Sequence, residues 1–158
     1  LTEPCQPAIL ERSINEIVRR HEILRTTIRA VDGRYMQVIA PHLSVSLLVD
    51  DLRRLPRSRK EAIGQRAVRD EIGHSFDLAN GPLIRARLVL LSDQEQRLLI
   101  SMHQIVCDGW SLGVLVKGLS VLLFTFYPDE VPSEFGGCYT GRSRSHKGVE
   151  DDFSGPAE

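Results

Sequence analysis

LLISMHQIVCDGWS, residues 98–111, sets an apolar run against a polar turn, and its reading decides how the rest of the chain is placed. Leu98 to Met102 has the composition of a largely buried strand that ends at His103. Gln104 follows, and Asp108 and Gly109 stand a few positions on. A strand ending this way delivers His103 to the edge of a sheet, where a substrate can approach. Gly109 permits a sharp turn, and a helix opening near Ser111, its candidate N-cap, aims its positive end back at that turn. Asp108 can fix the loop by accepting backbone N–H groups or by pairing with an arginine. On spacing alone, the plainer account is a strand-to-helix turn with a capping aspartate and a half-buried histidine.

Working outward, Ile84–Leu91 alternates Arg85 and Arg87 with Ile84, Ala86 and Leu88, and Arg97–His103 pairs with it after the polar link 92–96. Asn80-Gly81-Pro82 marks a turn before them. A helix runs from Ser111 to about Phe126. Upstream, Leu10, Ile14, Ile17, Val18 and His21 recur at the three-and-four spacing of one helix face, so a helix is predicted from Pro7 to about Ile23. Thr26–Val31 and Tyr35–Ile39 flank Asp32-Gly33, a hairpin turn. Val45–Val49 is a further strand, and Pro56 opens a charged helix to about Gly73 whose thin apolar side is Ala62, Ala67, Val68 and Ile72. The pattern is α/β, and the hairpin-like pairs argue for a mixed β-sheet with helices packed on it. From Tyr127 the composition changes: glycines and prolines, a basic cluster (Arg142, Arg144, His146, Lys147) and then an acidic one (Glu150, Asp151, Asp152). Residues 127–158 are therefore expected to form a divergent, mostly disordered tail.

The chain has 158 residues, room for one ordinary domain, with 20 Lys and Arg against 21 Asp and Glu. So even a balance argues against a nucleic-acid partner, which needs a basic excess. Leu112–Phe126 is apolar but interrupted by Lys117, and no run reaches the roughly 18 residues that span a membrane. Three scattered cysteines without a CxxC pair and no secretory signal point to the cytoplasm. Leu1 in place of a start methionine implies that the chain begins inside a longer protein.

The stretch SMHQIVCDGWSLGVL resembles the core motif of condensation domains of nonribosomal peptide synthetases, HHxxxDG followed by Trp-Ser. RRHEILRTTI at 19–28 resembles that family's RHExLRT motif, and HSFDLANGPLIRARLVLL at 74–91 resembles the segment between the two. The three occur in the family's order. The resemblance implies the fold of chloramphenicol acetyltransferase, an α+β sandwich in which two lobes form a V around a tunnel. Residues 1–126 would then be a partial condensation domain, its N-terminal lobe, with a second lobe missing. It implies amide-bond formation, attack by an aminoacyl amine on an acyl or peptidyl thioester. Both substrates ride on 4′-phosphopantetheine arms of peptidyl and aminoacyl carrier protein domains, with an adenylation domain nearby and no cofactor bound directly. The loss of family character beyond the last helix looks like a reading-frame change or gene decay.

By the same resemblance, the position of the family's catalytic histidine is Gln104, an amide that does not titrate near neutral pH but can donate a hydrogen bond to an oxyanion. His103 matches the first histidine and is expected to face away from the tunnel and serve structure. Asp108 matches an architectural aspartate, with Arg25 its expected partner and Arg20 the runner-up. Gly109 is expected to be the turn residue beside the tunnel, and Trp110 to pack. These positions point to an acyltransferase of impaired or lost activity. A catalytically dead carrier-docking module and a coenzyme A-dependent acyltransferase of the same superfamily are the alternatives. Other chemistries fit less well. His103, Cys107 and Asp108 match no closed zinc spacing. Gly109-Trp110-Ser111-Leu112-Gly113 has the letters of a hydrolase elbow without its strand or its partner residues.

Overall fold

In the computed structural model the described residues are 5–126, so the expectations for 127–158 fall outside them. The described elements are α1 (Pro7–Arg20), a 3₁₀ turn (Glu22–Arg25), β1 (Thr26–Val31), β2 (Arg34–Ile39), β3 (Leu47–Asp51), α2 (Arg57–Gly73), β4 (Ile84–Leu90), β5 (Gln96–Met102) and α3 (Gly109–Phe126). No described helix is long and apolar enough to cross a membrane.

β4 is the centre of a three-stranded mixed sheet, parallel to β3 and antiparallel to β5. Its side chains alternate between two packed layers. Ile84, Ala86, Leu88 and Leu90 join Leu10, Ile14, Ile17 and Val18 of α1 and Leu115, Leu119, Leu122 and Leu123 of α3 in the main core. Val89 and Leu91 face the other way and meet Leu52 and Ala67 beneath α2. Each fully buried aliphatic side chain contributes about 1.5–3 kcal/mol to folding, so the α1–sheet–α3 layer outweighs the α2 layer.

α2 corrects the expected apolar side. Ala67 is buried, but Ala62, Val68 and Ile72 are exposed, Ile72 at 81%. Charge does much of the docking instead. Glu71, its side chain 11% exposed, lies 3.4 Å from Arg85 and 3.6 Å from Arg87, and it accepts the Ser101 hydroxyl at 3.1 Å. Arg87 also reaches Asp50 at 3.5 Å. The arginines that alternate along β4 are thus the counter-charges of α2.

β1 and β2 pair antiparallel from Thr26↔Ile39 to Val31↔Arg34, around Asp32 (φ 50°) and Gly33 (φ 75°). Both turn residues sit in the left-handed region that this hairpin turn demands. The hairpin is joined to the rest by Ile28 N–H donating to the Leu78 carbonyl at 2.7 Å. β3 starts at Leu47, later than expected. Val45 is held by a side chain instead: Asn15 of α1 donates to its carbonyl at 2.9 Å and accepts its N–H at 2.8 Å.

Candidate active site

β5 ends at Met102, one residue earlier than expected, and residues 103–108 form a tight turn into α3. The Val106 N–H donates to the His103 carbonyl at 3.0 Å, which closes the turn, and His103 N–H donates to Leu83 at 3.0 Å, which ties it to the start of β4. Gln104 and Ile105 stand exposed at the tip, and Val106 is buried beneath them. Gln104 makes no side-chain hydrogen bond among the described residues.

Side-chain alternation carries His103 to the α2 side of the sheet, the side of Ser101 and Arg85. Its Nδ1 accepts the Ile105 N–H at 3.2 Å. Its ring stands edge-to-face with Phe76, centroids 6.0 Å apart at 84°. Arg85 lies over the Phe76 ring at 3.9 Å. Phe76 and Arg85 were not singled out from the sequence as site residues, although both belong to the segment 74–91 that carried the resemblance.

Asp108 has a different partner from the one expected. Its Oδ1 accepts the Ser111 N–H at 2.7 Å and the Ser111 hydroxyl at 2.6 Å, while its carbonyl accepts the first helical bond, from Leu112, at 3.1 Å. Asp108 is therefore the N-cap of α3, and Ser111, the expected cap, is the third helical residue that it caps. These bonds from Ser111, side chain first, hold the Asp108 carboxyl below its ordinary value. They also commit the Ser111 hydroxyl to a carboxylate too weakly basic to activate a nucleophile.

Neither arginine reaches Asp108. Arg25 donates through Nη1 to the Ala40 carbonyl and pairs with Glu22 at 3.1 Å, clipping the end of β2 to the 3₁₀ turn. Arg20 pairs with Glu16 at 2.7 Å on the open face of α1. An aspartate three residues before a free helical N–H finds a partner locally, and that short-range bond wins over a distant guanidinium. Two further expectations are corrected. Gly109 is the first residue of α3, has no positive φ, and an added Cβ would meet nothing within 4 Å, so its special freedom is unused. Trp110 does not pack, being 79% exposed.

On the opposite side of the loop an open cleft of about 380 Å³ lies between the end of α1 and the start of α3. His21, Leu24, Met102, Val106, Cys107 and Trp110 are among its walls. The RHEIL segment and the 103–110 loop therefore face one another across a largely apolar cleft, with no ion pair joining them among the described residues. Burial, and secondarily the Asp108 charge, pushes the Cys107 thiol up, away from the thiolate form that a nucleophile or a metal ligand requires. No group of three or more His, Cys, Asp or Glu that could hold a metal ion occurs among the described residues.

Comparison with known proteins fits this geometry. The family model described as "Condensation domain" matches residues 1–126. The chain is similar to a linear gramicidin synthase of Brevibacillus parabrevis, at 43% identity over 122 residues, 77% of this chain and 2% of that protein. It is also similar to phosphinothricin tripeptide synthetase PhsB of Streptomyces viridochromogenes, at 40% identity over 72% of this chain and 10% of that one. The crystal structure of the starter condensation domain of rhizomide synthetase RzmA shares the fold, with a TM-score of 0.73, 19% identity, and coverage of 85% of this chain and 32% of that one. The chain thus spans only a small part of these relatives' length. With the family model covering residues 1–126 and its mixed sheet and helices matching those of solved condensation domains of the chloramphenicol acetyltransferase-like fold, the chain belongs to the condensation-domain family of nonribosomal peptide synthetases.

Proposed function

We propose that this chain contributes the reaction loop of a peptide-synthetase condensation domain in which proton transfer is weakened. In this reading an aminoacyl amine attacks an acyl or peptidyl thioester, both tethered by 4′-phosphopantetheine to carrier protein domains. The rest of the condensation domain closes over the loop, an adenylation domain supplies the activated amino acid, and the setting is the cytoplasm. The amine nitrogen forms the new C–N bond, the carbonyl oxygen takes up negative charge, and the C–S bond breaks to release the pantetheine thiol. The amide of Gln104 donates a hydrogen bond to that oxygen but cannot take the amine's proton, which leaves through water to the departing sulfur.

The observation that carries the reading is an exposed Gln104 at the tip of a turn pinned on both flanks, by His103 on Ile105 and by Asp108 on Ser111. The same glutamine favours a second reading, a carrier-docking module without catalysis. One experiment tests both. Gln104→His is introduced into a polypeptide that joins this segment to a complete condensation domain, and condensation between loaded carrier proteins is assayed. A positioned acid or base is worth about 10²–10⁴ in rate, and a gain of that order is expected. No product from either version, with carrier binding retained, overturns the catalytic reading in favour of docking. Product formed only from coenzyme A thioesters moves it to the acyltransferase branch.

A further inference from the structure

We infer that Phe76, clamped by Arg85, is the positioning residue that fixes the tautomer of His103 and so sets the turn presenting Gln104. The inference rests on the reading of that turn as the reaction loop.

Two segments far apart in sequence meet here through four successive contacts. The first is at the C-terminal end of α2, where helix carbonyls lack partners and favour a cation. Arg85 of β4 occupies that end: Nη2 donates to the His74 carbonyl at 2.8 Å, and the carbonyls of Glu71 and Ser75 lie at 3.4 Å. The guanidinium is thereby held in one place. The second contact is its stacking on Phe76, 3.9 Å from the ring centroid and well within the reach of a cation–π interaction. With one face under a held cation, the Phe76 ring is biased toward this orientation. The third is the edge-to-face contact with His103 at 6.0 Å, inside the range that favours aromatic pairs.

The fourth contact carries the consequence for the loop. A backbone N–H only donates, so the His103 Nδ1 that accepts from Ile105 must be the unprotonated nitrogen, and the ring proton sits on Nε2. Rotation of the ring, or transfer of its proton to Nδ1, breaks this bond and frees the backbone immediately after Gln104. At 3.2 Å the bond is long and would not hold the ring against rotation by itself. The stack supplies what it lacks.

The segment around Phe76 is itself fixed independently of His103. Asp77 accepts the N–H groups of Ala79 and Asn80 at 2.9 and 3.1 Å, and Arg29 donates to the Ala79 carbonyl at 3.0 Å. Phe76 thus meets His103 from a support whose hydrogen bonds do not involve the 103–108 loop.

The test is nuclear magnetic resonance of the full chain with nitrogen-15 labelled histidine and backbone, which reads the His103 tautomer and the Ile105 amide directly. The native chain and Phe76→Tyr, which keeps the ring, are expected to show a single Nε2–H tautomer. Phe76→Leu is expected to mix the two tautomers and to shift the Gln104 and Ile105 amides while those of α1 stay in place. Arg85→Gln, which keeps a donor for His74 but removes the cation, gives a smaller change of the same kind and tests the stack should the leucine variant fail to fold. A native His103 carrying its proton on Nδ1 overturns the inference, as do Phe76→Leu and Arg85→Gln spectra that match the native one around residue 105. These signals do not depend on turnover, so failure of the condensation reading would leave them unchanged.

Discussion

Replacing Asp108 by alanine removes the acceptor of two short bonds, 2.7 and 2.6 Å, both from Ser111. No arginine is stranded, because Arg25 is occupied by Ala40 and Glu22, and Arg20 by Glu16. What is lost is therefore a helix cap, which lowers the folding equilibrium constant by a factor of about two to thirty. An aspartate buried against an arginine behaves differently: stranding its partner lowers the constant by at least about a hundredfold. The structure predicts the smaller loss for Asp108→Ala, with most of it recovered in Asp108→Asn, whose amide oxygen still accepts from Ser111. Arg25→Ala should act on its own, through the end of β2. The loss in the double variant then equals the product of the two single losses within about twofold, as for sites that share no contact. Urea unfolding followed by far-ultraviolet circular dichroism measures all four proteins. A hundredfold loss in Asp108→Ala, or a tenfold departure from the product in the double variant, would refute the cap and restore the ion pair.

Two further outcomes follow from the packing and the charges. Leu88, 0% exposed at the middle of β4 and facing α1 and α3, should cost about 3–5 kcal/mol when cut to alanine, read as a fall in the urea midpoint at unchanged slope; a loss below about 1 kcal/mol would mean that the α1–sheet–α3 layer is not the main core. Acid should destabilise the fold, because Glu16, bonded by Arg19 and Arg20, and Asp51, bonded by Arg53, are each lowered to about 2 from ordinary values of 4.5 and 3.8, and Asp108 is lowered by Ser111. Their folded forms bind fewer protons than the unfolded chain, so this stability is complete above about pH 4.5 and is lost as pH falls toward about 2; a midpoint that stays level across that window would contradict it.

Those parts of the fold whose signals are local were legible in the sequence. The Asp32-Gly33 turn marks its hairpin because few residues besides these accept positive φ, and in the structure it sets Val31 opposite Arg34, one residue before the expected start of the strand. α1 and β4 advertise their buried faces by period. α2 does not: its contact with the sheet rests on Ala67 and on Glu71 meeting Arg85 and Arg87, and a charge contact leaves no apolar stripe to read. Asn15 was equally silent, since a polar residue on a helix looks solvated until its carbonyl and amide partners, both on Val45, are known. At the candidate site, the expectation for His103 was only that it face away from a tunnel; that it takes the side of Ser101, Phe76 and α2 needed the sheet. The partner of Asp108 was not legible either, because sequence names the groups that can pair without giving the distances that choose between them. Here the chooser was Ser111, three residues away, against a guanidinium already committed to a neighbouring carbonyl.

The separation between scaffold and chemistry in the 103–108 turn gives the Gln104→His experiment its meaning. The turn is held by the His103 ring and carbonyl, by buried Val106 and by the Asp108 cap; none of these contacts uses the Gln104 side chain, which is exposed. A substitution at such a position changes stability by no more than about 0.5 kcal/mol, so the histidine variant of this chain should unfold at the same urea concentration as the parent. An equal midpoint assigns any change in condensation rate to the group at the tip, an imidazole that exchanges protons near neutral pH in place of an amide that does not. A midpoint displaced by more than that would show Gln104 to be part of the scaffold, and the rate comparison would then measure folding rather than catalysis.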